Sequence, residues 1–419
     1  MTYQVVISGV GLITSLGKGS RKVLNAMERG ENGFSSQSQV VCFDNEEKIV
    51  ARVSPENVSW PNGPSWLNRE KYANRQSHLA VTVAQEAIKD LRLTESYPFT
   101  VDPLRSGIVM TSGTSSSDEL GALLPRLASE SRTSSKALPE FLYDEVPDYS
   151  YIKGIPSQIG QFVSEISDFH GSNVAVYGEG SCGGFAGLSL AVDLVTSGEL
   201  DRVMVVGVSV SPSATLMDAF SRVEPLAPYV ADGVGPFDIN RCGSLLGEAA
   251  AAIVVERSDL WQPQGEKRPI QLVDVTTTTA PSVRESFKAT LSALKNDGDS
   301  VDLWWANGAG ARQLDLAEVE IGSSVTKAPI TSSKGTIGNA LECSALVDVA
   351  LAAELIGGKL IPPIGLTSRI DPYLGDIDVV FGKSRQVSES LGSVLITSLA
   401  HGWDCPSAGA AVIRKRDEC

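Results

Sequence analysis

Histidine is the scarcest side chain of chemical interest in this sequence of 419 residues. Only three are present, His78, His170 and His401, and no two of them have the spacing of metal ligands, so we expect no metal site. No apolar run reaches the roughly 18 residues of a transmembrane helix, which predicts that the chain does not enter a membrane. The six cysteines form no CxxC pair and no disulfide framework, a pattern typical of a reducing cytoplasm.

Basic residues are also in short supply. Lys and Arg total 35 against 50 Asp and Glu, and the net charge is −15. This excess of acid disfavours non-specific binding to nucleic acid or to anionic membranes. The N-terminal segment MTYQVVISGVG has no charged leader region and no cleavage site, so it predicts a first strand rather than a signal peptide. We therefore expect a cytoplasmic protein with no nucleic-acid or membrane partner.

Predicted strands and helices alternate along the whole sequence. The length exceeds the size at which a single hydrophobic core usually stops growing, so we expect two core units. Many strands are almost entirely apolar, which is typical of sheets covered by helices on both faces. One half begins with QVVIS and the other with IQLVD, and a similar alternation of predicted strands and helices follows each. The sequence predicts an α/β architecture of two similar halves, residues 1–258 and 259–419.

One glycine-rich turn separates an apolar strand from a helix. Val174–Val176 predicts a buried strand, GEGSCGG follows it, and apolar residues recur at helical spacing from Phe185 onward. Gly198 stands where the C-terminal cap of that helix is expected. Ser181 and Cys182 are thereby placed at a helix start, where free N–H groups and the helix dipole favour a thiolate. The turn is compatible with a nucleophile and equally with a structural cysteine.

Five segments in order along the chain resemble the elongating β-ketoacyl-acyl-carrier-protein synthases of the thiolase superfamily. They are VVISGVGLITSLGKG, the glycine-rich turn GEGSCGG (called the elbow below) with LVTSGELDRVMVVG, GPFDINRCGSLLGEAAAAIVVE, NGAGARQLDLAE and SSKGTIGNALECSAL. The resemblance covers roughly residues 4–415. It implies a duplicated thiolase-like fold with αβαβα layers and mixed, largely parallel sheets. It also implies an acyl-carrier-protein thioester as the substrate and no cofactor, because a thioester carries its own activation.

The family's nucleophile is displaced or replaced in this sequence. In the family a Cys takes the acyl chain from the carrier thioester. Counting back from Gly198 without a gap matches Ser181 to that Cys, and Cys182 falls one position later. Cys182 is the match only if the helix has lost a residue. Both positions therefore remain candidates for the nucleophile.

Both catalytic histidines of the family are replaced as well. They promote decarboxylation of the malonyl carrier and stabilise oxyanions. Asn307 matches the first and Asn339 the second, whereas Lys334 keeps the family's Lys. Asparagine donates a hydrogen bond but carries no proton near pH 7 as His does. Losing a single oxyanion donor costs about 10²–10³ in rate. The sequence thus predicts a chain that does not run decarboxylative condensation.

The resemblance also identifies side chains that would shape an acyl pocket. The family's gate loop is matched by AHGW, in which His401 stands where a Phe is usual and Trp403 follows. His401 is either a base from a new direction or a packing residue. Phe185 either lines the pocket below the elbow or belongs to the core. The small residues from Thr114 to Ser117 leave room for a long chain if their turn lines the tunnel.

Two functions follow from this pattern. In the first, the chain is similar to a chain-length factor, a non-catalytic subunit that forms a heterodimer with an active ketosynthase and shapes its acyl tunnel in polyketide natural-product biosynthesis. In the second, a homodimer uses Cys182 to accept an acyl chain from a carrier-protein thioester, and transfers or cyclises it without decarboxylation. The missing histidines and the one-residue offset favour the first.

Overall fold

The computed structural model describes residues 4–35, 39–41, 47–91, 101–111, 140, 143, 149–177, 180–210, 213–261, 270–294, 301–402 and 405–416. The strands are β1 (Val5–Thr14), β2 (Gly17–Lys18), β3 (Gln39–Val41), β4 (Glu47–Ile49), β5 (Ser106–Thr111), β6 (Asn173–Ala175), β7 (Arg202–Ser209), β8 (Ala249–Arg257), β9 (Ile270–Thr279), β10 (Leu303–Trp305), β11 (Ile330–Thr331), β12 (Leu360–Ile361), β13 (Arg385–Gln386), β14 (Ser393–Ala400) and β15 (Ser407–Lys415). The helices are α1 (Ser20–Glu28), α2 (Pro64–Glu70), α3 (Arg75–Leu91), α4 (Ser150–Lys153), α5 (Pro156–Ser167), α6 (Gly183–Thr196), α7 (Ala214–Ser221), α8 (Val283–Ala293), α9 (Arg312–Gly322), α10 (Lys334–Ile337) and α11 (Ser344–Leu355). Short 3-10 turns span Pro55–Asn57, Pro103–Arg105, Gly180–Cys182, Leu341–Cys343 and Pro372–Leu374.

The main sheet repeats one strand order in each half of the chain. Its 11 strands run β11-β10-β14-β15-β9-β1-β8-β7-β5-β6, with β2 beside β1. Each half contributes five strands to this order when β2 is left aside. Counted along the chain within each half and read from the outer edge inward, they lie in the order third, second, fourth, fifth and first. In each half the two outer pairs are parallel and the two inner pairs antiparallel. The repeat confirms the predicted duplicated α/β fold, whereas the boundary between 258 and 259 stays a prediction.

The expectation of mixed sheets is confirmed, but parallel pairs are not the majority, because five of the nine pairs along the strand order are antiparallel. The two halves meet at the short antiparallel pairing of β1 with β9, where Val6 opposes Gln271 and Ile7 opposes Ile270. The whole centre of the sheet, from β14 to β7, is consequently antiparallel. Apolar composition predicts that a strand is buried on both faces, but it does not determine the direction of its neighbours.

Alternating side chains of the buried strands separate two helical layers. On β7, Val203 and Val205 pack in the central core with Phe185 of α6 and Leu346 of α11, whereas Met204 packs on the opposite face. That opposite face is covered by α3 and α5, and the matching outer face of the second half is covered by α8 and α9. The result is the five-layer αβαβα arrangement, with α6 and α11 between the two halves of the sheet.

Several elements differ from the sequence-based expectations. The sequence predicts a strand over residues 3–8 followed by a turn, but β1 continues to Thr14, because β8 pairs with it along this stretch. Apolar spacing predicts one long helix over residues 68–91, whereas the structure has the two helices α2 and α3. The strand expected to be buried at residues 174–176 is β6, which lies at the sheet edge with Asn173 and Val174 exposed. These differences depend on tertiary neighbours, which periodicity does not include.

Candidate functional site at the glycine-rich elbow

The elbow is a close contact between two helix starts. The 3-10 turn Gly180–Cys182 leads into α6, and the 3-10 turn Leu341–Cys343 leads into α11. A Cβ on Gly184 would lie 2.8 Å from the Leu346 nitrogen, so only glycine permits this approach. At the other end of α6 Gly198 has φ +79°, and its N–H donates to the Val195 carbonyl at 3.1 Å, as the predicted cap requires.

The Ser181 hydroxyl donates its hydrogen to the side chain of an asparagine. Ser181 is only 4% exposed, and its Oγ–H donates to Asn339 Oδ1 at 3.1 Å. The same amide oxygen accepts from the Leu341 N–H at 3.1 Å and from Ser344 Oγ at 2.8 Å. An amide oxygen is too weak a base to take the hydroxyl proton near neutral pH. Ser181 therefore lacks the activation that a serine nucleophile needs.

The Cys182 side chain is buried beneath the surface of the elbow. The side chain is 0% exposed, and its Sγ donates to the Ser398 carbonyl at 3.3 Å. This contact requires the protonated thiol, whereas the nucleophile in acyl transfer is the thiolate. Ser398 in turn donates its Oγ–H to the Ser181 carbonyl at 2.9 Å. Ser398 of strand β14 therefore fixes the elbow through its hydrogen bonds with both Ser181 and Cys182.

Asn307 and Lys334 meet at the end of β10. The Asn307 side chain is 0% exposed, and its Oδ1 accepts from Lys334 Nζ. Ser398 Oγ, whose hydrogen goes to the Ser181 carbonyl, lies 3.3 Å from the same Oδ1. Among the described residues its Nδ2 has no hydrogen-bond partner. The structure thus brings Ser181, Cys182, Asn307, Asn339 and Lys334 together, all within one buried network joined through Ser398.

Two buried carboxyl groups support this network. Glu318 accepts from the main-chain N–H groups of Asn307 at 2.7 Å and Gly308 at 3.0 Å, and from Thr397 Oγ1 at 2.6 Å. Burial raises the pKa of Glu318 to about 7. Asp348 accepts from Trp305 Nε1 at 2.9 Å, and burial raises its pKa to about 6, although the charge of Lys334 acts in the opposite direction.

A small pocket opens on the other side of Ser181. It is lined by Gly180, Ser181, Phe220, Val223, Glu224, Leu341, Glu342, Ala400, His401 and Gly402. His401 is half-buried there, and burial lowers its pKa. Burial raises the pKa of Glu224, whose Oε1 accepts from Ser244 Oγ. Sequence reasoning missed both carboxyl groups. Glu224 stands in no recognisable motif, and Glu342 stands in the matched segment SSKGTIGNALECSAL at a position to which the resemblance gives no role.

The remaining predicted site residues lie elsewhere. Phe185 is fully buried in the central core and does not line the pocket, and a Cβ on Gly409 would lie 2.6 Å from its ring. Thr114, Ser117 and Trp403 lie outside the described residues. Within the described ranges no cluster of three His, Cys, Asp or Glu residues is placed to hold a metal ion. No helix of the described part is both long and apolar enough to cross a membrane.

The fold is that of ketosynthases. The structure superposes on a β-ketoacyl synthase from Burkholderia phymatum with a TM-score of 0.80 and 19% identity, over 99% of this chain and 100% of that one. It superposes on the ishigamide ketosynthase/chain length factor with a TM-score of 0.79 and 19% identity, over 100% of both chains.

The sequence comparisons agree with this class. The ketosynthase α subunit of the tetracenomycin polyketide synthase of Streptomyces glaucescens is 25% identical, over 99% of this chain and 98% of that protein. The family model described as the N-terminal domain of β-ketoacyl synthases matches residues 2–260. The chain belongs to the β-ketoacyl synthase family.

Proposed function

We propose that this chain is a chain-length-factor-like subunit of a ketosynthase heterodimer in polyketide biosynthesis. It shapes the acyl tunnel of an active ketosynthase and does not itself condense acyl chains. The carrier-protein thioester is bound by the pair, and the condensing cysteine and histidines belong to the partner. A location in the cytoplasm is part of the same proposal.

The observation that carries the proposal is the state of the matched nucleophile. The Ser181 hydroxyl donates to an amide oxygen, and no residue that can accept its proton hydrogen-bonds to it among the described residues. The neighbouring Cys182 thiol is fully buried and donates to a main-chain carbonyl. Both features oppose the alternative in which Cys182 accepts an acyl chain, so we do not carry that alternative further.

The surface around β6 supports a subunit interface. Val174 on β6 is 36% exposed, and Tyr177, two residues after the strand, is 50% exposed. We call these two residues the edge patch. Strand β6 ends the sheet, and in the described part of the chain no strand pairs with its outer side. Exposed apolar groups beside an open strand edge are typical of surfaces that pair with another subunit.

Two measurements test the proposal together. The chain is purified from its native host and its mass is measured under native conditions, where we expect a one-to-one complex with a ketosynthase that retains its Cys and both His. The same preparation is then incubated with acyl-carrier or acyl-thioester mimics and measured as intact denatured protein. We expect the acyl mass on the partner and none on this chain.

Point variants show which residue carries any acyl group found on this chain. The incubation is repeated with Cys182→Ala and with Ser181→Ala. A mass gain on this chain that Cys182→Ala abolishes would overturn the proposal and restore the acyltransferase or cyclase function. Isolation of a homodimer with no ketosynthase bound would also contradict it.

A further inference from the structure

The segment that precedes α3 lies against α3 and α5 as a strap. We define the strap as residues 59–72, which include α2. Its start is attached to α3, because the Ser59 N–H donates to Thr82 Oγ1 at 2.9 Å. Further along, Arg69 of α2 forms an ion pair with Glu165 of α5 at 2.5 Å. Polar contacts therefore hold the strap near its start and through α2.

Between these two attachments the strap packs through aromatic rings. The ring centroids of Trp60 and Trp66 lie 5.3 Å apart, and that of Trp60 lies 5.4 Å from that of Phe162 on α5. The Trp60 Nε1–H donates to the Trp66 carbonyl at 3.2 Å. His78 of α3 completes the cluster, with its ring centroid 4.6 Å from that of Trp60 and the two planes at 85°. A titratable ring thus lies inside the contact that holds the strap on α3.

The His78 imidazole has no hydrogen-bond partner at Nε2. Among the described residues this buried nitrogen neither donates nor accepts a hydrogen bond. A neutral imidazole leaves one nitrogen without a hydrogen, whereas an imidazolium carries N–H groups on both. The Glu70 Oε1 atom lies 3.8 Å from Nε2, which is too far for a hydrogen bond. Protonation of the closed strap would therefore bury an N–H donor without an acceptor.

The charges around His78 leave an added proton poorly compensated. Glu70 of the strap is the carboxylate that faces the ring, and its side chain is 48% exposed. On α5, Glu165 is already in an ion pair with the strap. Burial lowers the pKa of His78, and Glu70 opposes this shift. Arg75 on the same helix and Lys153 at the end of α4 are like charges that lower the pKa further.

We propose that the strap is an acid-sensitive latch, which lies closed on α3 while His78 is neutral and opens when the imidazole takes up a proton. In the open state the imidazolium reaches water, which hydrates its charge. The stability of the closed strap is complete above the ordinary His pKa of 6.5 and is lost as the pH falls through the lowered pKa of the closed state. The latch uses no residue of the elbow and does not depend on the chain-length-factor role.

Hydrogen exchange at pH 7.5 and at pH 5.0 tests the latch. The purified chain, with any subunit that co-purifies, is exchanged at both pH values, and each observed rate is compared with the intrinsic rate at the same pH to give a protection factor. At pH 5.0 we expect the protection factors of strap peptides to fall by about 5–100-fold, the usual effect of a buried donor without an acceptor. Strand β8, at the centre of the sheet, reports global unfolding and should lose no protection.

Variants assign the change to His78. His78→Phe keeps an aromatic ring beside Trp60 and takes up no proton, so its strap should be equally protected at both pH values. Glu70→Gln removes the carboxylate that faces the ring, so the loss at pH 5.0 should grow by about 2–5-fold, the size of a partly exposed ion pair. The control is His170→Gln, because His170 is 46% exposed and its Nε2 lies 2.8 Å from Asp168, outside the strap. It should show the wild-type pH dependence.

Three results would overturn the proposal. They are equal protection of the wild-type strap at the two pH values, a His78→Phe protein with the wild-type loss at pH 5.0, and a His170→Gln protein that has lost the pH dependence. A parallel loss of protection in β8 would show global unfolding by acid and would overturn it as well. His78→Gln supplies a second uncharged side chain, so the test stays decisive if His78→Phe does not fold.

Discussion

The two asparagines at the matched histidine positions use their amide groups differently. Asn339 Oδ1 accepts three hydrogen bonds, one of them from Ser181, and so holds the elbow against the start of α11. Asn307 Oδ1 accepts from Lys334, and its Nδ2 has no partner among the described residues. Asn307 therefore keeps an unpaired N–H group in the protein interior, whereas the Asn339 oxygen joins the elbow to the start of α11.

Glu318 should make folding stability depend on pH. Its pKa is raised from 4.5 to about 7, so the folded protein holds a proton that the unfolded chain releases between these values. The stabilising contribution is complete below the unfolded pKa and is lost as the pH rises through about 7. In the wild type the free energy of unfolding should decline over this pH range. In Glu318→Gln that decline should be smaller by on the order of 1–3 kcal/mol.

Urea titrations at several pH values measure this decline. Glu320→Gln is the matched control, because Glu320 lies on the same helix, is exposed and pairs with Arg284. It should leave the pH dependence unchanged. A Glu318→Gln protein with the wild-type pH dependence would show that Glu318 is ionised in the folded state throughout the range.

Lys334 should be important for stability as a buried cation. It is 3% exposed and donates to Asn307 Oδ1, and its charge partly opposes the rise that burial causes in the pKa values of Asp348 and Glu224. Lys334→Met leaves those carboxyls uncompensated, so at pH 8 the free energy of unfolding should fall by about 3–5 kcal/mol. Urea denaturation gives the value, and the exposed Lys327→Met should change it by less than about 0.5 kcal/mol. Equal losses in the two variants would refute the role.

Motif matching found the residues that keep family positions and missed the residues that only folding brings together. Asn307, Asn339 and Lys334 were located because each stands in a segment with several matched neighbours. Glu224 stands in no such segment, and its carboxyl matters because it is buried beside Ser181. Burial of a polar side chain depends on contacts between distant segments, which local patterns do not record. The same limit applies to Phe185, which is a core residue.

At the scale of elements, the directions and ends of strands were the least predictable features. The strands themselves were visible as apolar runs. The exposure of β6 was not predicted, because Val174 has the same apolar character as a buried strand residue. The position of a strand within the sheet order, rather than its composition, decides whether it has a second neighbour.

A charge at the β6 edge should prevent subunit pairing. Val174→Lys places an ammonium group in the edge patch, and charged side chains on an edge strand oppose strand addition. We expect the dissociation constant of the complex with its ketosynthase to rise at least about tenfold, measured by analytical ultracentrifugation. Tyr373→Lys is the control, because Tyr373 is 87% exposed and lies in the second half of the chain. Equal affinity of Val174→Lys and wild type would place the interface elsewhere.

At the scale of the whole molecule, the two halves share one core. The central cluster joins Val5 and Phe185 of the first half to Leu346, Ile396 and Ala411 of the second. Helix α6 is thereby covered by elements that lie more than 140 residues further along the chain. The repeat of strand order is a repeat of topology, and each half buries part of its inner face against the other half.

The fragment 1–258 should therefore not fold alone. Its α6 and the inner faces of β7 and β8 would lose their covering residues, and exposed apolar surfaces of this size promote aggregation. We expect an insoluble or protease-sensitive product, whereas the fragment mixed with 259–419 should recover helical circular dichroism and protease resistance. A soluble, cooperatively unfolding 1–258 fragment would refute the shared core.

The repeated strand order also gives the sheet two equivalent ends, and among the described residues only the β6 end is open. At β11, the Ile330 N–H donates to the Asp378 carbonyl at 2.7 Å, and the Ile330 carbonyl accepts from the Val380 N–H at 2.9 Å. The chain itself thus occupies the outer edge of β11, while the outer edge of β6 pairs with no described strand. A protein with two open ends polymerises, but one with a single open end forms a finite pair. Strand addition at this sheet therefore terminates at two subunits, and a fibre cannot grow from it.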